Sequence, residues 1–352
     1  MSNRILFILK RREDYNPEKH SKVELSTGLY NSATFMKDML LESGIESKLV
    51  VVEDNNSIDR EVTQYRPTHV IIEALWVVPT KFIILSKLHP SVKWIIRLHS
   101  EIPFLAGEGM AMDWIAEYMA FPNIILGANA PRALEEVRFY VQCKKKWDDK
   151  LIKEKVIYLP NFYPQKYKVK ELNRGKEYID IGCFGAVRPL KNHILQAIAA
   201  IKFAEHIGKK LRFHINSGRI EMKGEPVQRN LEYLFMHLIE HGHELVNHPW
   251  APREEFLEVC AQMDIGMQVS FSETFNIVGA DLISQGVPLV GSKEIPWIDD
   301  RCCARATETE EMFKTLLHVY DHPETSVKRN QKALTKYTNE TRKIWTQYFK
   351  TK

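Results

Sequence analysis

The chain is poor in the features that assign a protein at a glance. No apolar stretch reaches the roughly 18 residues that a membrane-spanning helix needs, so no transmembrane segment is predicted. The cysteines, Cys143, Cys183, Cys260, Cys302 and Cys303, are odd in number and contain no Cys-x-x-Cys pair. Neither a disulfide framework nor a zinc site is therefore expected. The opening stretch MSNRILFILKRRED puts its charges after the apolar run, the reverse of an export signal, and a cytoplasmic location is expected. Gly-x-x-x-x-Gly-Lys-Ser/Thr, Gly-x-Gly-x-x-Gly after a strand and Gly-x-Ser-x-Gly are all missing, which weighs against phosphate-loop, dinucleotide and hydrolase readings. No Asp-x-Asp ends a strand, so no metal is expected at the site. With 49 Lys and Arg against 45 Asp and Glu, the net charge is only +4. That mild excess permits a polyanionic partner without arguing for one.

What is present has the proportions of two domains, since 352 residues exceed one comfortable core. The first half alternates apolar β-branched runs with helical patterns. Strands are predicted at 4–10, 47–53, 69–75, 93–99 and 123–127, with a helix over 30–43 that stops at Gly44. Strands that are apolar throughout, separated by helices, predict a parallel sheet covered on both faces. After VIYLPN (156–161), the polar stretch 163–176 reads as a linker. The alternation then restarts, with strands at 178–184, 211–216, 264–269 and 287–290 and helices at 192–206, 227–240 and from near Phe275. Residues 326–349 read as a closing helix. Ligands of such sheets lie at the carboxyl ends of the strands, so the motifs there carry the weight.

Val269–Gly286 reads VSFSETFNIVGADLISQG. A strand ends, a Ser-rich turn follows, and Glu273 precedes a helix whose free N–H groups suit a diphosphate or sugar hydroxyls. Glu273 and Asp281 stand about two helical turns apart and project from similar sides. Glu273 as a helix cap with Asp281 as a surface charge is the plainer alternative. Phe184–Asn192 reads FGAVRPLKN, placing Arg188 and Lys191 in a loop that enters a helix. Two cations beside a helix start form an anion site, or else a solvated basic cap.

These stretches resemble family 4 glycosyltransferases and their GT-B relatives. Ser270, Glu273, Phe275 and the following Gly286-Val287-Pro288-Leu289-Val290 match the signature Pro-Ser-x-x-Glu-x-Phe-Gly-x-x-x-x-Glu and its Gly-x-Pro-Val strand. Asn276 stands where the family has Gly, and Asp281 where it has Glu. The resemblance implies an α/β GT-B fold, two Rossmann-like domains with parallel sheets facing a central cleft and a C-terminal helix crossing back to the first domain. The expected division is 1–165 for the acceptor side, 166–335 for the nucleotide sugar and 336–352 for the returning helix. It implies a retaining, metal-independent hexosyl- or pentosyltransferase with no cofactor, the nucleotide sugar being a co-substrate. Glu273 then contacts the transferred sugar, Asp281 the ribose, and Arg188 and Lys191 the diphosphate. Asn216, Ser217, Thr274, Phe275, Asn276 and Ile277 complete the expected donor site, with Gly28, from a glycine loop near the phosphates, as a weaker member. His99, in Arg97-Leu98-His99-Ser100, takes the place of the family's N-domain histidine near the sugar, and Asn161 reads as architectural. His248–Pro252 matches the base-contacting loop, with stacking by Trp250 and plain packing both open.

The acceptor is the open question: a glycan or related small acceptor, or 5-hydroxymethylated pyrimidines in DNA. SETFNIVGAD and RLHSEIPFLAGEG look like phage-encoded members of the group, some of which modify DNA, and Lys10–Lys22 mixes cations with Tyr15. A sugar-nucleotide epimerase of GT-B fold and an inactive binding module are further alternatives. Intact Arg188, Lys191 and Glu273 weigh against the inactive module.

Overall fold

A computed structural model describes residues 3–11 and 28–350. The chain divides into two units, Met1–Pro164 with Thr338–Lys352, and Gln165–Tyr337. The arm at Lys10–Lys22 falls almost wholly outside the described residues, as do Ser26 and Thr27.

The first unit runs β1 (Arg4–Lys10), α1 (Gly28–Glu42), β2 (Glu46–Val52), α2 (Ile58–Tyr65), β3 (His69–Glu73), α3 (Lys81–Leu88), β4 (Lys93–Leu98), α4 (Ile102–Leu105), α5 (Ala111–Tyr118), β5 (Ile124–Ala128), α6 (Pro131–Lys145), α7 (Asp149–Lys155) and β6 (Val156–Tyr158). Its sheet has the order β2-β1-β3-β4-β5-β6, parallel throughout. Both faces are buried, which is why β1 is apolar at five consecutive positions. Leu6, Ile8, Val70, Ile72, Trp94 and Ile96 pack on one face. Ile5, Phe7, Ile71 and Ile95 pack on the other, with Met36, Met39 and Leu40 of α1.

The second unit runs β7 (Tyr178–Val187), α8 (His193–His206), β8 (Lys210–Ile220), α9 (Glu225–Met236), β9 (Glu244–Asn247), α10 (Arg253–Gln262), β10 (Ile265–Gln268), α11 (Ile277–Ser284), β11 (Leu289–Gly291), α12 (Thr309–Asp321) and α13 (Pro323–Lys350). Its parallel sheet has the order β11-β10-β7-β8-β9. From Thr338 onward α13 belongs to the first unit. There Trp345 stacks on Phe7 with centroids 6.1 Å apart and donates its indole N–H to Pro160 O at 2.9 Å.

Two departures from the sequence reading have local causes. β7 continues beyond Phe184 to Val187 because the ladder with β8 resumes after a register shift. α9 stops at Met236, and a single 3-10 turn at Ile239–His241 follows, closed by Gly242 in the left-handed region. On the β7–β8 surface the second unit carries an internal ionic cluster. Asp180 accepts from His214 Nε2 at 3.1 Å and pairs with Lys176 at 3.2 Å, and His214 Nδ1 lies 2.8 Å from His248 Nε2. Burial opposes ionisation of Asp180, but His214 and Lys176 outweigh it and hold the carboxyl down at about 2.

Candidate functional site

The predicted anion loop hangs from the carboxyl end of β7. Arg188 is extended, Pro189–Lys191 make one 3-10 turn, and Asn192 takes the left-handed conformation that starts α8. Three hydrogen bonds sew this loop to the segment after β10. Asn192 donates to Val269 O at 3.0 Å, Val269 N donates to Gln196 Oε1 at 2.8 Å, and Phe271 N donates to Leu190 O at 2.9 Å. That stitching brings together residues far apart in sequence: Lys191 Nζ reaches Glu273 Oε1 at 2.5 Å. Both side chains are largely buried, at 10% and 8% exposure. Gly185 lies beside the lysine at φ +113°, a backbone conformation that side-chain-bearing residues rarely adopt.

Arg188 also meets a carboxylate, Glu221 Oε2 at 3.1 Å, whose other oxygen takes Arg219 at 2.6 Å. The Arg219 guanidinium lies over the Trp250 ring at 5.0 Å. Gly218 is obligatory beneath it, because a Cβ there would stand 2.7 Å from Trp250 N. A line of charge and aromatic contact thus runs from the predicted diphosphate cation to the predicted base loop. The sequence reading named both ends and missed Arg219 and Glu221 between them, although their alternation at the end of a strand places both on one face.

The helix expected near Phe275 begins at Ile277, because Asn276 sits at φ +61°. This is the position where the resemblance expects Gly, and Asn is the side chain that tolerates the left-handed region best. Its Oδ1 accepts from Gly279 N at 2.7 Å, capping α11, and its Nδ2 donates to Gln268 Oε1 at 2.9 Å. Phe275 is core: it packs on Trp297 and Tyr337, and its carbonyl accepts the Trp297 indole N–H at 2.6 Å. Thr274, Ile277 and Ser217 remain partly exposed. Asn216 is buried and accepts Gly185 N at 3.0 Å, tying β8 to β7. Asp281 is buried in an ion pair with Arg253 at 2.7 Å, the first residue of α10, which the sequence reading did not single out. The hydroxyl of Ser270 is buried and makes no hydrogen bond. His193, also missed, is fully buried without a hydrogen bond at either ring nitrogen; burial first, then Lys191 and Arg188, push it down to about 3, so it is neutral.

In the first unit His99 stands just past β4, its Nε2 on Glu73, and Gly28 is the first residue of α1. Asn161 accepts from Arg97 through its side chain and from Thr341 Oγ1 through its carbonyl at 3.1 Å. Among the described residues no three His, Cys, Asp or Glu side chains gather as a metal-ligand set, and no helix is long and apolar enough to cross a membrane.

No protein-family model and no curated protein matches this sequence. Solved structures do match in three dimensions. A trehalose-phosphate synthase (UDP-forming) from Burkholderia vietnamiensis superposes with a TM-score of 0.68 at 10% identity, over 100% of this chain and 97% of the other. Anabaena HepE, in complex with UDP and glucose, gives 0.63 at 10% identity over 99% and 100%. A trehalose-6-phosphate synthase studied for glycosyltransfer with retention gives 0.57 at 11% identity over 84% and 77%. The fold is GT-B. GT-B sheets present their ligands at the carboxyl strand ends, where the loops of Arg188, Glu273 and His99 all lie.

Proposed function

We propose that this GT-B chain is a family 4-like, retaining, metal-independent glycosyltransferase that moves a sugar from a nucleotide-sugar donor to a hydroxyl acceptor. The observation that carries the reading is the meeting of Lys191 with Glu273 beside Arg188 and the start of α11. When the bond between the anomeric carbon and the phosphate oxygen breaks, negative charge collects on the diphosphate. Arg188, Lys191 and the Ile277 and Val278 N–H groups are fixed donors for that charge, since Asn276 occupies only the Gly279 N–H. As the donor enters, Arg188 and Lys191 exchange carboxylate partners for phosphate oxygens, and Glu273 is released to accept from a sugar hydroxyl. The leaving phosphate oxygen takes the proton of the acceptor hydroxyl, so attack comes from the face the phosphate leaves and configuration is retained. No resident cofactor takes part in this scheme. Retention by a structural neighbour and UDP and glucose in another support the reading.

The test is a panel of nucleotide sugars offered with saccharide acceptors, lipid-linked acceptors and 5-hydroxymethylated DNA, read by mass spectrometry of acceptors and digested nucleosides. Transfer to a glycan or small acceptor is the expected result. A glycosylated nucleoside would instead make this an enzyme of DNA modification, of the phage-encoded kind, and direct mutagenesis to Lys10–Lys22. A rearranged donor sugar with no transfer would replace the transferase by an epimerase.

A further inference from the structure

Three neighbouring parallel strands of the first unit, β3, β4 and β5, end side by side at Glu73, Leu98 and Ala128. Glu73, His99 and Asn129 meet just there, on the edge where α/β sheets take their ligands. Glu73 and Arg97 are both fully buried, and Arg97 Nη1 lies 3.2 Å from each Glu73 oxygen. The rest of the guanidinium is occupied: Nε donates to Leu159 O at 3.1 Å, Nη2 donates to Pro160 O at 3.2 Å and to Asn161 Oδ1, and one face lies 5.1 Å from the Trp345 ring. Ala74, next in the chain, is held at φ +70° with its N–H on Arg97 O at 2.9 Å.

The contact at Nε2 decides which nitrogen of His99 carries the proton. Nε2 is in close contact with Glu73 Oε2, and Arg97 Nη1 is 3.4 Å from the same nitrogen, well outside that contact. Nδ1 lies 3.5 Å from Asn129 Nδ2, an N–H donor. Burial works against the Glu73 charge, yet Arg97 and His99 overcome it and hold the carboxyl below its ordinary value. Burial lowers His99 as well, with Glu73 opposing and Arg97 adding to the effect, so the ring is neutral at pH 7. A neutral ring against an ionised carboxylate must place its single proton on Nε2, and Nδ1 is then a lone pair.

We propose that Glu73 is the positioning residue of His99: it fixes the Nε2-protonated tautomer, so that Nδ1 is an acceptor that exchanges its 3.5 Å contact with the Asn129 N–H for a sugar hydroxyl and disfavours a carboxylate or phosphate in that place. The tautomer rests on the Nε2 contact with Glu73 and on the neutrality of the ring; only the sugar rests on the glycosyltransferase reading. The same logic governs a catalytic histidine whose buried carboxylate partner is replaced by an amide, where the wrong tautomer follows. In Glu73→Gln, Arg97 keeps the carboxamide oxygen and an amide N–H faces His99 Nε2, so the proton moves to Nδ1.

The test is nitrogen NMR of the full chain labelled in its histidine rings, with His99 assigned by its loss in His99→Gln. The expected wild-type spectrum shows protonated Nε2 and unprotonated Nδ1 at His99 at about pH 8, above the ordinary histidine value, and Glu73→Gln shifts the proton to Nδ1. Protonated Nδ1 in the wild type, or an unchanged tautomer in Glu73→Gln, would overturn the proposal. The wild-type spectrum decides by itself if the variant fails to fold, and it is independent of whether any sugar is transferred. Once transfer is measured, Glu73→Gln should lower kcat/KM about tenfold in the wild type and leave it unchanged in His99→Gln. Equal losses in both backgrounds would show that Glu73 does not act through His99.

Discussion

Lys191 Nζ and Glu273 Oε1, 82 positions apart in sequence, lie 2.5 Å from each other in the second unit, both nearly buried. This one contact gives the candidate site its cation and its carboxylate together, and it makes each depend on the other for a partner.

Removing either side chain therefore affects stability as well as turnover. Breaking a buried pair leaves an uncompensated charge, at a cost on the order of 3 kcal/mol. Glu273→Ala and Lys191→Ala are each expected to lower the free energy of unfolding in urea by that amount and to abolish transfer. The double variant Lys191→Ala/Glu273→Ala should lose less stability than the sum of the two single variants while remaining inactive. Additive losses would mean that the two side chains do not interact.

Asn276 is expected to be replaceable by Gly and not by Ala. Gly keeps the left-handed conformation and loses only the cap and the Gln268 bond, at no more than about 1 kcal/mol. Ala adds the left-handed penalty, for a total of about 2 kcal/mol. Equilibrium unfolding of the two variants measures the difference, and equal losses would remove the backbone argument.

Asp281 and Arg253 separate a structural role from a ribose-binding role. Asp281→Asn should destabilise the second unit because Arg253 loses its counter-charge. If Asp281 also reaches a ribose, the wild type should bind a ribose donor about tenfold more tightly than its deoxyribose analogue, a difference of about 1.4 kcal/mol that Asp281→Asn erases. A preference for ribose that persists in the variant would assign that contact to another residue.

Asp180 makes an acid-side prediction. Its folded value of about 2 lies below the ordinary carboxyl value of 3.8, so ionised Asp180 stabilises the fold above that ordinary value. The contribution fades as pH falls from about 4 towards 2. Asp180→Asn should cost about 2 kcal/mol at pH 7 and roughly half of that at pH 3. A deficit that stays constant with pH would show that packing, not charge, is at work.

How much of this was legible in advance depended on whether the signal was local. Most strands and helices followed from apolar runs and their spacing, and the α/β class with them, but the short edge strand β9 and the helix α12 did not, and GT-B came from the resemblance. RPLKN and SETFNIVGAD identified Arg188, Lys191 and Glu273 because a loop motif keeps its chemistry within a few residues. Their partners were not legible in the same way. Glu73 sits in HVIIEALW, an apolar strand in which one carboxylate carries no pattern, and only the β3–β4 pairing of Glu73 with Arg97 brings it to His99. Arg253 likewise looks like an ordinary helix start until the fold sets it against Asp281. The ring of Phe275 faces Trp297 and Tyr337, contacts made across long stretches of chain that no local motif shows.

The central claim, that the second unit holds a nucleotide donor on Arg188, Lys191 and the start of α11, is tested most directly by calorimetric titration of nucleoside diphosphates in the presence of a chelator. Arg188→Ala is the comparison of choice, because Glu221 keeps Arg219 as a partner and folding is spared. The account predicts that at least one nucleoside diphosphate binds the wild type without metal and binds Arg188→Ala at least about tenfold more weakly, the loss of one charge-assisted bond. Binding that is absent for every nucleotide, or equal in the two proteins, would contradict it.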